Sequence, residues 1–306
     1  MTEALDKLLV LLDLEPIEEN IFRGNSPKEE RQRVFGGQVA GQALVAAGRT
    51  VERQGGTLAN AGVGGVPPSA RASAQTTVHS LHAYFLRPGD PTIPILYEVD
   101  RIRDGRSFTT RRVVAIQHGQ AIFNLSASFH VAEEGIEHQT VQIGDDVPPA
   151  ESLPTLRELL DPVWDRVPEW YGTRPIDIRY VEGEPWVLRN EKHAPRQRMW
   201  IRADGALPDD PLVHACVVAY ASDMSLLDTA LMPHGLTWSD PGVMGASLDH
   251  AMWFHRPFRA DEWLLYVQES PTMSGARALS QGRIFASDGR LVVTVVQEGL
   301  LRTSTR

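Results

Sequence analysis

Apolar positions along the chain follow different rhythms, and each rhythm predicts a different element. Leu5, Leu8, Leu9 and Leu12 recur three and four residues apart, the stripe of a short amphipathic helix. Ile21-Phe22-Arg23-Gly24 reads as a short strand, and the charged residues around Pro27 as a loop. Residues 34 to 51, VFGGQVAGQALVAAGRTV, are rich in Ala, Leu and Val and predict a buried helix in spite of Gly36, Gly37 and Gly41. Glycines at a helix start let another backbone or a ligand approach its free N–H groups, which makes Gly36 and Gly37 candidates for substrate contact. Residues 54 to 76 are Gly, Ala, Ser and Pro with almost no bulky side chains, and predict a mobile loop without a G-x-G-x-x-G motif. From Val78 the period falls to two. HSLHAYFLRPG, PILYEVDRIRDG, SFTTRRVVAIQHG and AIFNLSASFHV predict four strands, separated at Gly89, Asp104-Gly105 and His118-Gly119 as in antiparallel hairpins.

The second half repeats this order. His82-Ala83 matches His250-Ala251, Arg87-Pro88 matches Arg256-Pro257, Leu96-Tyr97 matches Leu265-Tyr266, and Gly105 and Gly119 match Gly275 and Gly289. The offset drifts only from 168 (82 to 250) to 170 (119 to 289). Residues 132 to 176 are acidic and proline-bearing, with a helix predicted from Leu156 to Tyr171, and read as a connector. Each half thus predicts one long helix covering an antiparallel sheet of about five strands, because a sheet must bury its apolar face. The expected class is α+β, a fused pseudo-dimer with one repeat at 1–131, a connector at 132–176 and a second repeat at 177–306.

Positions where a repeat loses its symmetry are candidates for chemistry. In the second half a helix is predicted from about Asp210 to Gly235, its stripe formed by Leu212, Cys216, Ala219, Leu226, Leu227, Ala230 and Leu231, with Asp223 inside it. An interior Asp costs a helix about 0.5 kcal/mol relative to Ala, so it either faces solvent or has a task. The first helix carries no acid from Gly36 to Thr50. The offsets set His79 opposite Ser247 and Ala127 opposite Gln297, so these polar groups also occur once. Taken singly, Ser247 reads as a turn residue and Gln297 as an outward strand residue. Together, a carboxylate, a hydroxyl and an amide can orient a water and accept its proton.

Composition narrows the possibilities. The chain has 306 residues, 42% of them hydrophobic and 23% charged, and a formal charge of -9, which argues against nucleic-acid binding through phosphate neutralisation. Its single cysteine, Cys216, lies on an apolar helix face and reads as a core thiol. MTEALDKLLVLLDLE lacks the pattern of a signal peptide and no run reaches the length of a membrane span, so a soluble cytoplasmic protein is expected, and a homo-oligomer. There is no G-x-S-x-G: Gly245-Ala246-Ser247-Leu248-Asp249 ends in Asp, against a nucleophile elbow. Neither His79 with His82 nor His250 with His255 has the spacing to share a strand face for a metal.

VFGGQVAGQAL (34–44), DGRSFTTRRV (104–113), YASDMSLLDTALMPHG (220–235), DHAMWFHRPF (249–258) and VQEGLLR (296–302) together resemble the acyl-CoA thioesterase II family, of the bacterial type related to peroxisomal enzymes. The resemblance spans nearly the whole chain. It implies a double hotdog fold, each sheet wrapped round a central helix, and hydrolysis of medium- to long-chain acyl-CoA to fatty acid and CoA. Its catalytic residues fall on Asp223 and Gln297, with Ser247 where the family commonly has Thr, and the 54–76 stretch is longer than usual. Thioester hydrolysis needs no cofactor, only an oriented water and donors for the developing oxyanion. Arg101, Arg103, Arg106, Arg111 and Arg112 are candidates for the CoA phosphates, though strand alternation sends about half of them to the wrong face. The alternatives are a hotdog enoyl-CoA hydratase, for which Asp228 and His234 have near spacing but no Asn-Pro, and a non-catalytic acyl-CoA-binding protein.

Overall fold

The structure, a computed structural model, describes residues 2–27, 33–51, 76–167, 171, 174–184, 187–188 and 190–303. The loop expected at 54–76 lies outside these residues except Thr76, which opens a strand.

Helix α1 (Glu3–Leu12) turns Leu5, Leu8 and Leu12 inward and is capped by Thr2. Strands β1 (Glu15–Glu18) and β2 (Ile21–Gly24) lead to α2 (Gly36–Arg49), and β3 (Thr76–Phe85), β4 (Ile95–Asp104), β5 (Phe108–Gln117) and β6 (Gln120–Val131) follow as the alternating pattern predicts. In the connector, α3 (Leu156–Leu160) is shorter than expected. Pro162 follows at once, and the chain tightens into a 3-10 turn over Asp161–Arg166.

The second half contributes β7 (Ile176–Tyr180), β8 (Arg196–Ala203), α4 (Pro211–Ser222), the short α5 (Asp228–Leu231), β9 (Val243–Ser247), β10 (Asp249–Phe254), β11 (Leu264–Ser274), β12 (Arg277–Ala286) and β13 (Leu291–Thr303). Asp210 caps α4 through Leu212 N–H, and Pro211 occupies the first turn, where its missing N–H is harmless.

All thirteen strands form one antiparallel sheet in the order β1-β2-β4-β5-β6-β3-β10-β13-β12-β11-β8-β7, with β9 on the far end of β13. The order reads alike outward from the β3–β10 seam, where Ala83 faces His250 and Leu81 faces Met252. α2 and α4 lie antiparallel in the core, and small residues set their separation. A Cβ on Gly37 would stand 2.4 Å from the Tyr220 carbonyl oxygen, and one on Gly41 would stand 3.3 Å from that of Cys216. Cys216 is a buried free thiol whose pKa burial pushes up.

The ladders correct one alignment of the halves. Val78 faces Phe129 just before a register shift that leaves His79 as an extra residue, and Ser247 faces Gly299 on β9 while Ala251 faces Val296 on β10, an offset that leaves Leu248 as the extra residue between the two strands. Val78, not His79, is therefore the counterpart of Ser247. Matching His82 to His250 would pair an outward side chain with an inward one; Leu81 and His250 are both fully buried, as are Ala83 and Met252. Ala127 does stand opposite Gln297, since Ala127 pairs with Arg111 as Gln297 pairs with Ser280.

Candidate active site

α4 stops at Ser222, so Asp223 is its C-cap and not an interior residue of a helix running to Gly235. The Ser222 hydroxyl turns back to the Ala219 carbonyl at 3.0 Å, and Asp223 takes φ -87, ψ -5 before a turn leads into α5. Ser and Asp compete with the helix for backbone hydrogen bonds, which explains a break that the apolar stripe does not register. Asp223 then faces the first turn of the antiparallel α2. The Gly37 N–H donates to its carboxylate. A Cβ on Gly36 would lie 2.6 Å from Asp223 Oδ2 and 2.8 Å from the Phe85 ring. Phe35, the N-cap of α2, supplies no side-chain acceptor to that turn.

The sheet brings the other two groups. Gln297, fully buried on β13, donates from Nε2 to Asp223 Oδ1 at 2.6 Å and to Ser247 Oγ at 2.9 Å. Ser247, at the end of β9, has its own hydroxyl proton left for Asp223 and hydrogen-bonds to it. The three side chains thus come together from a helix terminus and two neighbouring strands. Burial is the largest influence on Asp223 and pushes its pKa from 3.8 up to about 6, against the lowering effect of Gln297, Gly37 and Ser247 in that order. A carboxylate in that range is mostly ionised at neutral pH yet basic enough to take a proton from water.

The arginines are not brought to this place. Arg111 is fully buried and belongs to the fold: it donates to Thr50 Oγ1 at 2.9 Å, to the Thr50 carbonyl at 3.0 Å and to Asp104 at 2.5 Å, tying down the end of α2. Arg101 is held by Asn20 and Glu19, Arg112 by Asp100, and Arg103 and Arg106 are exposed around the β4–β5 turn. That turn sits at the C-terminal end of α2, about 20 Å by helix rise from Gly36. Of the hydratase pair, Asp228 accepts a 2.5 Å hydrogen bond from Trp238 Nε1 and His234 is exposed.

Sequence reasoning missed the shell behind the three groups. His250 Nε2 is 2.9 Å from Ser222 Oγ, and the Tyr266 hydroxyl donates to the Ser222 carbonyl at 3.0 Å. Strand parity with the buried Met252 was the available signal for His250; nothing in the sequence marks Tyr266 as a partner of Ser222.

The description "Acyl-CoA thioesterase" matches residues 176–300, and "Acyl-CoA thioesterase N-terminal domain" matches residues 26–130. The human protein "Acyl-coenzyme A thioesterase 8" is 41% identical over 305 residues, 95% of this chain and 88% of its own length. The crystal structure of the acyl-CoA thioesterase II TesB2 from Mycobacterium marinum is 42% identical, with a TM-score of 0.74 over 98% of both chains. A hot dog fold protein from Alicyclobacillus acidocaldarius, 18% identical, superposes with a TM-score of 0.73 over 100% of both chains. The sheet and these relatives thus define a hotdog-fold protein of the thioesterase class. The chain belongs to the acyl-CoA thioesterase II family.

Proposed function

We propose that this protein hydrolyses medium- to long-chain acyl-CoA by direct attack of a water activated by Asp223, Ser247 and Gln297. Thioester hydrolysis follows from the family; the observation carrying the mechanism is the Gln297 amide, which bridges Asp223 and Ser247 beside the first turn of α2. Asp223 takes a proton as the water oxygen bonds to the thioester carbon. The remaining N–H groups of the uncapped α2 turn receive the carbonyl oxygen as it gains charge. Collapse of the tetrahedral intermediate breaks the C–S bond, and the proton held by Asp223 passes to the departing CoA thiolate. Free acid and CoA result, with no cofactor.

A depression beside this turn, lined by Ser26, Arg33, Phe35, Gln38 and Tyr220, is our choice for the approach of CoA, with Arg33 the nearby cation in place of the β4–β5 arginines. The architecture is read as a double hotdog with repeats at 1–131 and 177–306, supported by the mirrored strand order and the two matched regions. No described helix is long and apolar enough to cross a membrane, in keeping with a cytoplasmic enzyme. Self-association is proposed from exposed Tyr84, Leu96 and Phe108, and sedimentation tests it.

The deciding experiment is decanoyl-CoA turnover read as free thiol, with a single turnover in oxygen-18 water. Label in the fatty acid and none in the protein supports direct attack. Label in Asp223 would mean an acyl-enzyme anhydride, and binding without thiol release would mean a carrier.

A further inference from the structure

Two buried polar atoms next to the proposed site lack a hydrogen-bond partner among the described residues: Oε1 of Gln297 and Nδ1 of His250. Their residues are neighbours. On the β10–β13 ladder Ala251 faces Val296, so the next pair is His250 and Gln297, both fully buried and on the same face of the sheet. Gln297 has already committed its nitrogen to Asp223 and Ser247. His250 has committed Nε2 to Ser222, the residue that ends α4 immediately before Asp223. An orphaned amide oxygen beside an orphaned ring nitrogen, both out of water, is costly unless one donates to the other.

We infer that His250 is a positioning residue: its Nδ1–H donates to Oε1 of Gln297 and holds the amide in the orientation that turns both N–H bonds towards Asp223 and Ser247. The inference rests on the water-activation reading of the site. An amide is nearly symmetric in shape, and packing alone does not tell oxygen from nitrogen. Flipped, Gln297 would set its oxygen against the Asp223 carboxylate. A donor on the far side makes the productive orientation the satisfied one. In this tautomer Nε2 is bare and takes the single Ser222 hydroxyl proton in place of the Ala219 carbonyl 3.0 Å from the same oxygen, so one chain of hydrogen bonds joins the end of α4 to the amide that grips Asp223. Burial holds the His250 pKa down at about 4, so the ring is neutral throughout the working range and acts as a dipole, not a charge.

The test uses the full-length enzyme. His250→Asn keeps a donor at the place of Nδ1, His250→Gln reaches Ser222 but offers Gln297 no such donor, and His250→Leu has neither. We expect kcat/KM within about threefold of the parent for Asn and reduced about tenfold or more for Gln and Leu, carried by kcat with KM nearly constant. The acid limb of the pH profile should also move to higher pH in Gln and Leu, because the Gln297 N–H is what lowers the Asp223 pKa most. The other groups facing that carboxylate, Gly37 N–H from α2 and Ser247 from β9, are unchanged, and the Tyr266 phenol from β11 is kept neutral by burial. In a Gln297→Ala background, His250→Gln should add no further loss and no further shift. Equal losses in Asn and Gln, or losses that add to Gln297→Ala, would overturn the assignment. Imidazole nitrogen-15 shifts in the native enzyme give a check that needs no active variant: a bare Nδ1 on His250 overturns it too. The two readings fail separately. Full activity in Asp223→Asn sinks water activation, whereas an inactive Asp223→Asn with additive His250 and Gln297 effects sinks only the positioning role.

Discussion

Asp223, the base of the proposed mechanism, is buried by the fold at a cost. Its pKa is raised to about 6 from 3.8, so the stability it contributes is full below 3.8 and is lost as pH rises through 6, where the ionised carboxylate is partly desolvated. Activity needs the ionised form, so kcat/KM should fall on the acid side with a midpoint near 6. Asp223→Asn should cut turnover about a hundredfold or more while raising Tm at pH 8, with the gain disappearing towards pH 4. Thermal melts at both pH values check the sign. Ser247 separates oxygen from shape. Thr keeps the hydroxyl and adds one methyl, so Ser247→Thr should retain most activity, whereas Ala should lose about tenfold to a hundredfold, one oriented hydrogen bond in the transition state. An Ala variant as active as the parent would leave Asp223 and Gln297 as the whole site.

At the scale of elements, the positions of β3 to β6 were legible and the ends of α3 and α4 were not. The alternation from Val78 to Val131 marks β3 to β6 because a strand with one buried face must repeat every second residue. The apolar stripe that marked α4 runs on through Leu226 and Leu231, yet the helix ends at Ser222 and restarts at Asp228. Hydrophobic spacing reports which side chains are inside, not whether the backbone between them stays helical. The same blindness set Arg111 among the CoA candidates. Its neighbours on β5, Thr110 and Arg112, are more exposed, and parity alone sends Arg111 inward, but its partner Thr50 is sixty-one residues away. Arg111→Ala should leave the Thr50 carbonyl and the Asp104 carboxylate short of a donor and cost about 2–4 kcal/mol, seen as a shift in denaturation midpoint. Kinetic constants per folded molecule should hold, because the site lies at the other end of α2.

The strand order of the whole molecule mirrors itself about the β3–β10 seam, whereas the proposed reactive groups occur on one side of it. Thr50 caps α2 as Asp223 caps α4, Val78 answers to Ser247, Ala127 to Gln297, and Arg111 fills the place of Ser280. At the first of these places a guanidinium bound to Thr50 takes the volume, and it engages the carboxylate beside it, that of Asp104. The second place has all three polar groups from the C-terminal half, but the N–H that steadies Asp223 comes from Gly37 in the N-terminal half. The halves also share the β3–β10 ladder and the α2–α4 contact, so neither buries its own surface alone. Residues 132–306 expressed by themselves should therefore be inactive despite carrying Asp223, Ser247 and Gln297. Co-expression with residues 1–131 as a separate chain should restore hydrolysis, with one non-hydrolysable acyl-CoA analogue bound per reconstituted pair by calorimetry. Activity in the isolated C-terminal fragment would show that α2 is dispensable to the chemistry, and two analogues per pair would show that the Arg111 side is also a site.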